Sequence, residues 1–92
     1  MIIGLDFDKT YTLDPKLWNI FISAAHKRGH KIICVTMRYE HEGEEVKNML
    51  GDLVNEIIFT KRKAKSPYVE NRGVKIDIWI NDMPYWIIMD SK

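Results

Sequence analysis

Apolar residues gather in four short runs along the chain, and between the runs they recur at helical spacing. Ile2 to Leu5 (IIGL) is continuously apolar, the pattern of a strand buried on both faces. After a polar loop, Asp14-Pro15 predicts a helix start, because Asp14 can cap and Pro15 suits the first helical position. Leu17, Ile20, Phe21, Ala24 and Ala25 then fall on a helical stripe, and Gly29 supplies the stop. Lys31 to Val35 (KIICV) predicts a second buried strand, ending on Thr36. The loop MRYEHEG precedes a second helix with the stripe Val46, Met49, Leu50 and Leu53 and acids at its start, where the helix dipole favours them. Ile57 to Phe59 predicts a third strand, and Ser66-Pro67 the cap of a short helix that stops at Gly73. Val74 to Ile80 (VKIDIWI) predicts a fourth strand, with Asp77 awkward inside it. Asn81-Asp82-Met83-Pro84 breaks that strand, and Tyr85 to Met89 forms an apolar tail, either a helical turn or a small edge strand.

Strands alternating with helices predict an α/β fold, a Rossmann-like three-layer arrangement around a small, mostly parallel open sheet. In such sheets the ligand site lies outside the carboxyl ends of the strands. Those ends carry the polar residues of this chain: Asp6 and Asp8, then Thr36, then Thr60 and the lysines of KRKAK, then Asn81 and Asp82.

Composition narrows the class. A chain of 92 residues, 46% hydrophobic and 29% charged, suits a single globular domain over 1–92. A formal net charge of +1 argues against a protein whose main task is coating nucleic acid or anionic membrane. The lone cysteine, Cys34, has no internal disulfide partner and fits a reducing compartment. No apolar run approaches the length of a membrane span, and the acidic start is unlike a secretory signal, so a cytoplasmic protein with no membrane partner is expected.

The strand-end residues point to a chemistry. Two carboxylates one residue apart repel each other, and carboxylates converging without a cysteine or histidine cluster make a hard, oxygen-rich site suited to Mg²⁺. The ion would offset the repulsion between Asp6 and Asp8. A lysine and a threonine hydroxyl added to such a site suit a phosphoryl group, and an aspartate can itself attack phosphorus.

These residues carry a resemblance. DFDKT, a hydrophobic strand ending in Thr36, a lysine opening a later helix and a strand ending in an acid resemble the four motifs of the haloacid dehalogenase-like superfamily, in order and spacing. VTMR also resembles the family's Thr-x-Arg pattern. The resemblance implies a Mg²⁺-dependent phosphatase with Asp6 as nucleophile and Asp8 as general acid/base. Thr36 would bind the phosphoryl group, and Lys65 would orient it and balance its charge. Asp6, Asp8 (through its carbonyl) and Asp82 would hold the metal. Lys9 stands where the family commonly has glycine, and Asn81 where a first acid is often found. Lys61, Lys63 and Lys65 alternate; Lys65 is favoured because it sits just before a helix start.

Family members often carry an inserted cap domain, but the links from Thr10 to Asp14 and from Thr60 to Lys65 are too short to hold one. A capless, open site would take its walls from MRYEHEG and KRKAK, with Arg38 and Lys63 (or Lys61) as substrate-binding residues, or from a neighbouring copy in a homo-oligomer. The expected partner is a phosphorylated substrate: a small molecule, a nucleotide or a nucleic-acid end. Two rivals stand beside this reading. A receiver-like regulatory domain needs an aspartate at the end of the third strand, where this chain has Thr60. A non-catalytic phosphate- or nucleic-acid-binding module would use KRKAK as its grip. His26, His30 and His41 read as surface residues, Cys34 as a small core residue, and Trp18, Trp79 and Trp86 as core or interface.

Overall fold

The computed structural model describes residues 1–91. Four strands form one parallel sheet: β1 (Ile2–Leu5), β2 (Lys31–Thr36), β3 (Glu56–Phe59) and β4 (Ile78–Ile80), in spatial order β3-β2-β1-β4. Three helices connect them: α1 (Pro15–Lys27), α2 (Glu44–Leu50) and α3 (Lys65–Asn71). The fold is therefore α/β and Rossmann-like, with an open parallel sheet.

Alternate strand residues serve opposite faces, which gives the sheet two cores. On one face Ile3, Leu5, Ile32 and Cys34 pack with Ile22 and Ala25 of α1 and with Val46 and Leu50 of α2. On the other, Ile33, Val35 and Ile58 pack with Val69 of α3. Gly4 is required by this second layer: a Cβ there would lie 2.9 Å from the Trp79 ring, which β4 lays against β1.

The local signals that start and stop α1 act as expected. Asp14 accepts a hydrogen bond from the Leu17 N–H at 3.2 Å, and Gly29 takes the left-handed backbone (φ +85°) that turns the chain toward β2. Its buried face differs from the predicted stripe. Leu17 and Ile20 are 53% and 69% exposed, while Trp18, Phe21, Ile22 and Ala25 pack inward. The helix is apolar on two sides, and the sheet has room for one of them. In α2, Val46 and Leu50 are buried, but Met49 is part-exposed and Leu53 lies past the helix end.

Two further boundaries move. The third helix begins at Lys65 rather than after a Ser66 cap; the preceding Ala64 N–H is satisfied from afar by Asp90 Oδ1 at 2.7 Å, and Ser66 Oγ donates to Glu70 instead. The fourth strand is shorter than VKIDIWI because Asp77 is used otherwise. Its carboxylate accepts the Ile2 N–H at 2.7 Å and its own N–H donates to the Ile2 carbonyl, pinning the start of β1 at the edge away from the candidate site. The apolar tail resolves as a 3₁₀ turn, Pro84–Ile87. Among the described residues, no helix is long and apolar enough to cross a membrane.

Candidate functional site

The carboxyl ends of the strands form one rim, and a cavity of about 310 Å³ opens there. Asp6 follows β1 directly and stays paired to the sheet, its N–H donating to the Ile80 carbonyl at 2.9 Å. This continuation buries the side chain, which is only 8% exposed as a residue. Lys65, the first residue of α3, is 2% exposed, and its Nζ donates to Asp6 Oδ1 at 2.7 Å. A lysine is rarely buried unless paired, and this buried ion pair supplies the partner. It also separates the three lysines of KRKAK. Lys61 is exposed, and Lys63 points to Asp90 at 3.8 Å with its side chain 66% exposed, so neither lines the cavity.

Asp82, just beyond β4, is brought beside Asp6 by Thr10. The Thr10 hydroxyl lies 3.2 Å from Asp6 Oδ2 and 3.1 Å from Asp82 Oδ1, and it accepts the Asp82 N–H at 3.2 Å. With one proton it can donate to only one carboxylate at a time. Burial pushes the Asp6 carboxyl up to about 6; Lys65 opposes this, and the neighbouring Asp82 adds to it. Thr10 was not among the residues expected at the site, although DFDKT places it one turn after Asp6.

Asp8 also lines the cavity. Arg38 grips it with two hydrogen bonds, Nη2 to Oδ1 at 2.6 Å and Nε to Oδ2 at 3.0 Å. The same guanidinium donates to the Glu42 carbonyl and to Glu45, and lies over the Phe7 ring at 5.1 Å. Thr36 is buried at the end of β2 and also lines the cavity, its Oγ1 accepting the Arg38 N–H at 3.4 Å. The expected residues Asp6, Asp8, Thr36, Arg38, Lys65 and Asp82 thus share one cavity; Lys63 does not.

One wall of the cavity comes from KRKAK as expected, through Arg62 rather than Lys61 or Lys63. Arg62 donates to the Met37 carbonyl at 2.7 Å and to the Glu42 carboxylate at 3.2 Å. Met83, Trp86 and Ser91 close another part, so the chain's own C-terminal segment contributes to the site. Trp86 therefore belongs to the rim rather than to the core.

The donor set can be tested against a cation. Among the described residues no three His, Cys, Asp or Glu side chains gather as a chelating cluster. Asp6 and Asp82 do converge, and two carboxylates are what Mg²⁺ ordinarily takes from a protein when water and phosphate oxygens complete its shell. The raised proton affinity of Asp6 beside Asp82 is the electrostatic counterpart: a cation would relieve it. The residues fit Mg²⁺ held chiefly by Asp6 and Asp82. Cys34 contributes no ligand chemistry; burial pushes its thiol up to about 12.

No protein-family model matches this chain, and neither does any curated protein or solved structure.

Proposed function

We propose that this domain is a Mg²⁺-dependent phosphomonoester hydrolase of the haloacid dehalogenase-like type, working through an aspartyl-phosphate on Asp6. One observation carries the reading: a buried aspartate at the end of β1 pairs with a buried lysine from the start of α3 and lies beside a second aspartate from the end of β4. Three separate elements deliver these groups to one rim, as the resemblance of DFDKT and the later motifs requires.

The residues divide the work as follows. Asp6, largely ionised above pH 6, attacks phosphorus; a P–O bond forms to its carboxylate as the P–O bond to the leaving group breaks. Asp8 gives the leaving oxygen its proton, then takes one from the water that attacks the phospho-aspartate and releases phosphate. Arg38 orients Asp8 through both of its carboxylate oxygens, and one of these hydrogen bonds must release for Asp8 to carry the proton. Lys65 balances phosphoryl charge, and the Thr36 hydroxyl binds a phosphoryl oxygen. Mg²⁺ held by Asp6 and Asp82 would supply Lewis-acid charge stabilisation.

The rivals fit the same residues less well. A receiver has no phosphate acceptor here, because Thr60 at the end of β3 is fully buried and its hydroxyl donates to the Lys63 carbonyl. A nucleic-acid grip through KRKAK finds two of its cations already engaged, Arg62 by Glu42 and Lys65 by Asp6. The test is hydrolysis of an aryl phosphate with Mg²⁺, with EDTA and in Asp6→Asn. Activity only in the native protein with Mg²⁺ is expected. Undiminished activity in Asp6→Asn, or salt-sensitive nucleic-acid binding with no hydrolysis, would overturn the proposal.

A further inference from the structure

The chemistry above uses the charged part of the cavity and leaves its apolar part without a task. That part consists of Met37, Met83 and Trp86. Met83 and Trp86 come from the C-terminal segment, which is fastened at two points to the connection between β3 and α3. Ser91 N–H donates to the Arg62 carbonyl at 2.7 Å, and Asp90 Oδ1 accepts the Ala64 N–H at 2.7 Å. Ala64 immediately precedes Lys65, so this wall is tied to the element that carries the buried lysine. Trp86 is half-buried and lines the cavity. An indole and two thioethers form a polarisable surface that favours a flat π-system over an aliphatic chain.

Size points the same way. A cavity of about 310 Å³ sits at the small end of the range for small-molecule sites, large enough for a phosphoryl group and one attached ring system. A polymer would need a basic track leading away from the cavity, and Arg62, the cation of KRKAK beside Lys65 in the lining, is engaged by Glu42.

We infer that the C-terminal wall binds the flat ring of a low-molecular-weight phosphomonoester, a nucleobase or another arene, and so makes the site selective for ring-bearing monophosphates. The inference rests on the hydrolase reading for turnover, but the wall can be tested separately by binding.

Two matched pairs separate ring recognition from leaving-group chemistry. One is a nucleoside 5′-monophosphate against ribose 5-phosphate, the other benzyl phosphate against cyclohexylmethyl phosphate. The kcat/KM ratio within at least one pair should favour the ring by about tenfold or more, as stacking on an aromatic side chain provides. Trp86→Ala should bring that ratio close to one, and Trp86→Phe should retain most of it. Preference in the ribose pair alone identifies a nucleobase; preference in both identifies arenes generally. Calorimetric binding of the same pairs to Asp6→Asn should show the same order. Ratios near one in the native protein, or a ratio untouched by Trp86→Ala, overturn the inference while hydrolysis itself stands. Absence of hydrolysis with ring-selective binding intact would overturn only the enzymatic reading. Absence of both would overturn the wall as well.

Discussion

Asp6 is held under opposing demands: burial favours its neutral acid, Lys65 favours the carboxylate, and Asp82 disfavours a second negative charge. In the metal-free protein its titration should centre near 6 against an ordinary value of 3.8. Because the folded state then holds its proton more tightly than the unfolded chain, this group's contribution to stability is fully present below about pH 4 and is lost as pH rises to about 6. Two pK units correspond to about 3 kcal/mol. Carboxyl-carbon NMR across that window reads the titration directly, and Lys65→Met should move it higher still. A midpoint near the ordinary value would refute the burial argument. Lys9 presents a second residue-scale case. It occupies a left-handed backbone (φ +60°) that favours glycine. Lys9→Gly should therefore stabilise the fold by up to about 1 kcal/mol in urea titration. The unusual residue at this position was legible in DFDKT; the backbone reason for it was not.

At the scale of elements, local signals gave the order of strands and helices, but they misplaced the cap of α3 at Ser66 and began β4 too early. Short apolar runs fixed the strands, and Asp14-Pro15 and Gly29 fixed the first connecting helix, because strands, caps and turns depend on neighbours in sequence. Which side of α1 faces the sheet depended on packing, and Leu17 and Ile20 fell outside. Ile20→Lys should change stability by no more than about 0.5 kcal/mol, whereas Ile22→Ala should cost about 2–5 kcal/mol. Equal effects in chemical denaturation would show that the helix sits differently. Arg38 illustrates a similar boundary. The MRYEHEG wall suggested a substrate contact for Arg38, and Arg38 does line the cavity; its bidentate pair with Asp8, 30 residues away, gives it a positioning role in the proposed mechanism as well. Arg38→Ala should lower kcat more for alkyl than for aryl phosphates, since only the former depend strongly on a proton from Asp8. A pure rise in KM would return Arg38 to substrate binding.

Across the whole molecule, the sheet order places β1 between β2 and β4, so Asp6 has Thr36 on one side and Asp82 on the other. Parallel topology explains why residues far apart in sequence meet at one rim, and it makes that convergence legible in the strand-end residues of the sequence. The C-terminal wall was less visible, because Met83 and Trp86 sit on a segment tied to the loop after β3 by Ser91–Arg62 and Asp90–Ala64 hydrogen bonds. No spacing rule marks such contacts. Those same contacts surround the start of α3, so the wall and the buried lysine belong to one assembly.

The covalent step is the centre of the account, and trapping it is the most direct measurement. Protein turning over an aryl phosphate with Mg²⁺ is quenched in acid, reduced with borohydride and mapped by mass spectrometry. An aspartyl-phosphate on Asp6 would be reduced to homoserine at that position, and the signal should vanish without substrate, with EDTA and in Asp6→Asn. Steady hydrolysis that leaves Asp6 unmodified, or that survives Asp6→Asn, would contradict it.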